Sequence, residues 1–156
     1  MLHPARSVLF AGTTLALAAS AGAQQAAKPT IIELTQVPCQ FIESENGLDR
    51  GYKSTRKEDC DAINAKSGAK RVAESKPIEL KPGKYIFRVI NKTVPYELGF
   101  WLRGAGIAGR ATLPSVSGGG LVLGKTQDYA IELKPGEYLY SCPLNTTPDY
   151  KLIVKG

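Results

Sequence analysis

Apolar and polar residues alternate along much of the chain, and this pattern predicts a protein built mainly from β-strands. The clearest signal is a repeat, because residues 78–89 read IELKPGKYIFRV and residues 131–142 read IELKPGEYLYSC. Each copy has a short strand, a Lys-Pro-Gly turn and a second strand in which apolar residues recur with a period of two. We therefore predict comparable hairpins in the two halves of a Greek-key β-sandwich.

The same alternation predicts which face of each repeat is buried. In the second strand of each repeat, one face carries two aromatic residues followed by a smaller residue. These residues are Tyr85, Phe87 and Val89 in the first copy and Tyr138, Tyr140 and Cys142 in the second. We expect large aromatic side chains to point into the core. Cys142 then lies at the end of an inward row, directly before Pro143 ends the strand. Further strands are predicted for residues 30–35 and 151–154.

Residues 43–77 have a different character and are predicted to form a helical insertion that packs against the sandwich. Residues 59–74 contain few β-branched side chains, and Thr55 and Glu58 have the spacing of a capping box. Gly68 predicts that the helical part is broken into two. The following glycine-rich segment, residues 104–124, is predicted to be a long loop with a short strand.

The first 23 residues predict a secretory signal that is removed after Ala23. Arg6 precedes an apolar run at residues 8–19, and the run is followed by the small-residue sequence Ala-Gly-Ala. The run is too short to span a bilayer as a stable helix, so the mature protein is not expected to span a membrane. We predict export to a bacterial periplasm, and residues 24–156 are long enough for a single domain with its own core.

Charge and histidine content exclude several classes of function. The net charge is +6, the basic residues are dispersed, and no patch interleaves them with aromatic residues, so a nucleic-acid partner is not expected. The single histidine, His3, lies in the predicted signal. Without histidine, the mature chain has no Ser-His-Asp or Cys-His pairing, and we predict that it is not an enzyme.

Three cysteines allow at most one disulfide within the exported chain. Cys39 with Cys60 is the favoured pairing, because Cys39 and the insertion are neighbours in sequence. Cys39 with Cys142 would instead tie the first strand to the last, and Cys60 with Cys142 is the third alternative. The pairing decides whether the Cys142 thiol is available as a ligand.

The C-terminal strand and the loop after the first repeat resemble the cupredoxin family. The features that carry the resemblance are Tyr-x-Tyr-x-Cys at residues 138–142 and Asn-Lys-Thr-Val-Pro at residues 91–95. The resemblance covers residues 30–155 apart from the insertion, and it implies a Greek-key sandwich of cupredoxin-like topology.

The resemblance also implies where copper ligands would lie. A type 1 copper site requires one cysteine thiolate and two histidines. Tyr96 or Glu97 takes the place of the first histidine, residues 145–147 replace the second, and residues 148–150 replace the axial methionine. Only Cys142 remains of the family's ligands, so the resemblance implies the fold without a type 1 copper site.

The ending of the chain is also similar to the histidine-poor cupredoxin-like domain of periplasmic imelysin-type iron-uptake proteins. The similarity rests on PGEY at residues 135–138, Cys142 and KLIVKG at residues 151–156. It implies that Cys39, Glu97 and Cys142 lie together at one end of the sandwich and bind copper or iron.

Two functions follow from these observations. The first is a periplasmic metal-binding or redox-linked accessory protein that works with a metal-handling or redox partner. Its site would be Cys142, Glu97 and Cys39, with Tyr96 closing the loop. The alternative is a metal-free interaction module with structural cysteines, which docks through Phe100, Trp101 and the glycine loop at residues 118–120.

Overall fold

The computed structural model describes residues 28–156, so the predicted signal at residues 1–23 lies outside the described part. Within that part, nine strands form two packed sheets. The strands are β1 (Thr30–Val37), β2 (Gln40–Phe41), β3 (Ile78–Leu80), β4 (Gly83–Asn91), β5 (Leu98–Gly104), β6 (Val116–Leu121), β7 (Thr126–Leu133), β8 (Gly136–Ser141) and β9 (Tyr150–Val154). The helices are α1 (Lys57–Glu74) and α2 (Gly106–Thr112), and a short 3-10 helix covers Glu43–Glu45.

The strand order is β2-β1-β4-β7 in one sheet and β3-β9-β8-β5-β6 in the other. β1 runs parallel to β4 and β3 runs parallel to β9, whereas the remaining pairs are antiparallel. The chain crosses between the sheets after β2, β3, β4, β6 and β7, which is Greek-key connectivity. The predicted all-β sandwich with a short helical insertion is confirmed.

The core lies between the sheets, where the predicted inward rows of β4 and β8 are buried. Phe100 on β5 lies at its centre. The Phe100 ring stacks on Phe87 with ring centroids 5.6 Å apart, and it meets Phe41 edge-on at 6.2 Å. The period of two in the sequence therefore predicted the buried faces of these strands correctly.

The Lys-Pro-Gly repeats form corners between the two sheets, and the predicted hairpins are wrong. β3 and β4 belong to different sheets, as do β7 and β8. Gly83 and Gly136 have φ angles of 151° and 152°, which L side chains rarely adopt, and they redirect the chain. The hydroxyls of Tyr85 and Tyr138 then donate to the lysine carbonyl of the same repeat at 2.8 and 2.9 Å. A buried tyrosine thus closes each corner.

Helix α1 lies within the predicted insertion and begins after Arg56. The Asp59 carboxylate accepts hydrogen bonds from the backbone N–H groups of Thr55 and Arg56, at 2.8 and 3.3 Å. The helix therefore has Arg56 at its N-cap and Asp59 as the capping carboxylate. Both positions are one residue later than the predicted pair of Thr55 and Glu58.

The helix continues through Gly68, and the predicted break is wrong. Gly68 is buried, and a Cβ built there would lie 3.9 Å from Cγ of Pro148. Helix α1 thus packs against the loop between β8 and β9 at Gly68, with room left for a methyl group.

The glycine-rich segment contains helix α2 and strand β6, and it is more regular than the predicted loop with a short strand. Among residues 28–156, neither helix is long and apolar enough to cross a membrane.

Candidate functional site

Strands β1, β4, β6 and β8 finish at the same end of the sandwich, which we call the pole. The segments that leave these strands, residues 38–56, 92–97, 122–125 and 142–149, meet there with the first turns of α1. Hydrogen bonds such as Gly124 N to Asn91 O, at 2.8 Å, connect neighbouring segments. The pole gathers the residues that the sequence singled out.

A disulfide joins Cys39 to Cys60, with 5.0 Å between their Cα atoms. This confirms the favoured pairing over the two that involve Cys142. It attaches α1 to the turn between β1 and β2, and it leaves neither sulfur as a thiolate. Cys39 therefore does not act as a metal ligand in this form.

Cys142 is the free cysteine of residues 28–156, and its side chain is fully buried. Its sulfur accepts hydrogen bonds from the backbone N–H groups of Asn145 and Gly99, at 3.2 and 3.4 Å. Burial raises the pKa of the Cys142 thiol, although these N–H groups oppose the shift. The thiol is therefore protonated at neutral pH. A protonated thiol is a poor metal ligand, because the thiolate is the form that binds metal.

Asn145 is the centre of the polar network at the pole. Its Oδ1 accepts hydrogen bonds from the Cys39 N–H at 2.9 Å and the Tyr96 hydroxyl at 3.3 Å, and it lies 3.4 Å from Sγ of Cys60. Its Nδ2 donates to the Val37 carbonyl at 2.9 Å. Since its backbone N–H also contacts Cys142, Asn145 touches all three cysteines. The sequence marked this position only as the replacement of a histidine.

Tyr96 reaches the same network from the loop after β4. Its hydroxyl is 2.8 Å from Oγ of the buried Ser54 and 3.7 Å from Sγ of Cys60. Burial raises the pKa of Tyr96, so its hydroxyl stays protonated and can donate. Tyr96 thus connects the loop after β4 to the sulfur of Cys60, which belongs to the disulfide.

Glu97 points away from this network. Its side chain is exposed, and Oε1 accepts a hydrogen bond from the Gly120 N–H at 2.8 Å, which fixes the glycine segment of β6. Glu97, Cys39 and Cys142 thus have separate partners. No group of three or more His, Cys, Asp or Glu side chains within residues 28–156 is arranged to hold a metal.

The residues at the pole do not fit a type 1 copper ion. Two imidazoles are replaced by a phenol and an amide, and these groups hydrogen-bond to each other. The remaining sulfur is a neutral thiol that two N–H groups already contact. Copper would have to displace a complete hydrogen-bond network and ionise a buried thiol.

A buried ion pair also anchors α1 at the pole. Arg71 Nη2 lies 2.6 Å from Oε1 of Glu45, and each side chain is 1% exposed. Arg71 Nη2 donates to the Cys39 carbonyl at 2.8 Å, and the Tyr150 hydroxyl donates to Glu45 at 2.5 Å. Burial opposes ionisation of Glu45, but hydrogen bonds from Arg71, Tyr150 and Arg50 hold its pKa below the ordinary value.

Exposed apolar side chains collect on the outer surface of the pole. They are Leu48, Val122, Leu123 and Leu144, which are 54%, 46%, 53% and 38% exposed. Glycines with positive φ at 120 and 124 flank Val122 and Leu123 and present them on a tight turn. Ile107, which is 92% exposed, lies on α2 at the opposite end. The four exposed residues at the pole, Leu48, Val122, Leu123 and Leu144, are what we call the apolar rim.

The aromatic residues proposed for docking are placed differently. Phe100 is 1% exposed and belongs to the core, so it cannot contact a partner. Trp101 faces outward on β5, half-buried under Arg103, whose guanidinium carbon lies 4.0 Å from the centre of its ring. Alternation along β5 explains the difference, because neighbouring residues point to opposite faces.

The fold that builds this site is cupredoxin-like. Auracyanin B, a cupredoxin, matches with a TM-score of 0.50 over 83% of this chain and 92% of its own length, at 13% sequence identity. Lac15, from a marine microbial metagenome, matches with a TM-score of 0.40 over 84% of this chain and 28% of its own, at 14% identity. No family profile and no curated protein matches the sequence. The similarity to auracyanin B thus supports the fold, and nothing supports the imelysin-type relationship.

Proposed function

We propose that the protein is a periplasmic, metal-free interaction module in which Cys39 and Cys60 are structural. The observation that carries this proposal is the hydrogen bond between the Tyr96 hydroxyl and Asn145 Oδ1, at 3.3 Å. The groups at the ligand positions satisfy one another, and Cys60 Sγ of the disulfide lies within 3.7 Å of both. This arrangement favours a closed, rigid pole over a metal centre.

The apolar rim supports the interaction part of the proposal. Four of the six large apolar residues exposed within residues 28–156 lie at the pole. A contiguous patch of exposed apolar side chains marks a surface that binds a partner, and we propose that these four residues form such a patch. A periplasmic metal-handling or redox protein is the partner that we propose, and no catalytic step is assigned to this chain.

Elemental analysis tests the metal-free state. The mature protein should be purified from a copper- and iron-supplemented periplasm without chelator or reductant, and then analysed beside its Cys142→Ala variant. We expect far less than one copper or iron per chain in both proteins. Stoichiometric metal that disappears with Cys142→Ala would overturn the proposal in favour of a site at Cys142, Glu97 and Cys39.

Surface variants test the role of the rim. Val122→Ser with Leu123→Ser should abolish site-specific crosslinking to the periplasmic partner, because it removes two exposed apolar contacts. Ile107→Ser is the matched control at the opposite end and should crosslink like the wild type. Equal crosslinking by all three proteins would contradict docking through the rim.

A further inference from the structure

Two arginines lie against the ring of Trp101 on the outer face of β5. The guanidinium carbon of Arg103 is 4.0 Å from the ring centre, and that of Arg110, on α2, is 6.0 Å from it. We propose that these residues and the neighbouring glycine groove bind an extended segment of a partner protein, in which acidic residues lie beside an apolar one. This proposal deepens the proposed function and rests on it, because it names the chemistry of a partner that also meets the apolar rim.

The groove lies between Trp101 and Leu144 and has a volume of about 450 Å³. Gly99 on β5 and Gly119 on β6 line it. A side chain is excluded at Gly99, because a Cβ there would lie 2.6 Å from the carbonyl oxygen of Gly118. A floor without side chains allows the backbone of an extended segment to approach closely. Leu144 also belongs to the apolar rim, so the groove continues that surface.

The arginines at one end of the groove select the charge of the segment. Within residues 28–156, Arg103 pairs with Asp149 at 2.7 Å, whereas Arg110 has no carboxylate at ion-pair distance. The Arg103 side chain is 6% exposed, and its Nε has no hydrogen-bond partner in the described part of the chain. Two guanidinium groups beside one ring repel each other, and a further carboxylate offsets that repulsion. An acidic side chain is therefore favoured beside Trp101.

The pole end of the groove carries the opposite charge. The exposed Glu97 carboxylate is held there by the Gly120 N–H at 2.8 Å, and a Cβ at Gly119 would lie 3.1 Å from its Oε1. Glu97 repels an acidic residue at this end, whereas the arginines attract one at the other. The groove therefore fits a segment whose acidic residues all lie on one side of its apolar residue.

Fluorescence titration of the mature protein at low ionic strength tests the proposal, because Trp101 is the only tryptophan of the chain. The probes are two blocked hexapeptides, with two glutamates before or after a central leucine, and their counterparts with glutamine. We expect one acidic peptide to shift the Trp101 emission and to bind about fivefold more tightly than its neutral counterpart, as for an exposed charge pair. Added salt should reduce this difference, because it screens exposed charges.

Three variants separate the contributions to binding. Arg110→Gln should remove the preference for the acidic peptide, because it removes the arginine that has no ion-pair partner. Leu144→Ser should weaken the acidic and neutral peptides by the same factor, since it removes only an apolar contact. Arg88→Gln is the matched control and should bind both peptides like the wild type, because Arg88 lies on the other sheet and pairs with Asp128.

Several outcomes would overturn the proposal. They are the absence of binding by both acidic peptides, equal affinity for acidic and neutral peptides, and an unchanged preference in Arg110→Gln. An emission shift that follows protein concentration alone would also overturn it and would assign the groove to a second copy of the chain. Val122→Ser with Leu123→Ser should bind both peptides like the wild type, because neither residue lines the groove. Failure of docking at the rim and failure of binding in the groove are therefore distinguishable.

Discussion

Glu45 and Arg71 form a buried ion pair, and losing either partner alone is costly. Removing water from two charges is expensive, and their attraction repays that cost only with complete hydrogen bonding. Glu45 is bonded to Arg71 and Tyr150, and Arg71 is also bonded to Asn64 and the Cys39 carbonyl. The pair therefore fixes where α1 lies, provided that both partners are present.

Replacing Glu45 with glutamine should destabilise the protein by about 3–5 kcal/mol, because it leaves the Arg71 charge buried and uncompensated. Urea unfolding monitored by circular dichroism measures the change. Glu79→Gln is the control, since Glu79 pairs with Lys155 at the surface, where each side chain is more than half exposed. A loss below about 1 kcal/mol, as expected for the surface pair, would contradict the role given to Glu45.

Glu45 also predicts a pH dependence. Its pKa is lower in the folded state than the ordinary value of 4.5. The stability that it contributes is thus fully present above the unfolded pKa and is lost as the pH falls through the folded pKa. As the pH falls below about 4.5, the wild type should lose stability more steeply than Glu45→Gln. Parallel curves for the two proteins, from unfolding at each pH, would contradict this.

The sequence predicted helix α1 correctly, but it predicted a break at Gly68 that the structure does not have. Its composition predicted a helix, but Gly68 was interpreted as a break. Helix propensity is a local property, whereas the helix around Gly68 packs against Pro148, which arrives from a loop 80 positions later in the chain. Contact at long sequence separation leaves no local pattern to recognise.

Gly68→Ala should stabilise the protein by about 0.5–1 kcal/mol, since alanine restricts the unfolded chain and favours the helix. A Cβ at this position would lie 3.5 Å from Asn64 Cβ and 3.9 Å from Pro148 Cγ, which are ordinary van der Waals distances. Gly68→Leu should instead destabilise it, because the longer side chain must displace the loop. Thermal unfolding of both variants checks the opposite signs, and a destabilising alanine would show that the space is smaller than described.

The two Lys-Pro-Gly corners offer a comparison between equivalent elements. Gly83 and Gly136 share a φ near 150°, so alanine is strained at either position. At Gly136 a Cβ would also lie 2.7 Å from Cδ1 of Leu113, whereas at Gly83 the nearest atom is 3.9 Å away. We expect Gly136→Ala to cost about 1 kcal/mol more than Gly83→Ala in denaturant unfolding, from the added overpacking. Equal losses would mean that Leu113 moves aside freely.

For the whole molecule, the sequence predicted the sandwich, its buried faces and the Cys39–Cys60 disulfide, and it missed what depends on distant contacts. A Lys-Pro-Gly turn is compatible with a hairpin within one sheet and with a corner between two sheets. Which of the two forms depends on whether the flanking strands pair with each other or join different sheets. Asn145 became the centre of the pole through contacts to Cys39 and Cys60 that span 106 and 85 positions. The ligand positions were recognisable from the resemblance, but the network that replaced the ligands was not.

The disulfide is the covalent part of this network, and its removal tests how the pole contributes to global stability. Cys39 and Cys60 are 21 positions apart, for which the chain-entropy relation gives about 3 kcal/mol. Cys39→Ala with Cys60→Ala should therefore lower the unfolding free energy by about this amount and match the reduced wild type. Both should keep near-native circular dichroism, because the buried ion pair between Arg71 and Glu45 still anchors α1. A double variant as stable as the oxidised wild type would show that the bridge does not constrain the unfolded chain, and loss of the native spectrum would show that the ion pair alone does not hold the helix.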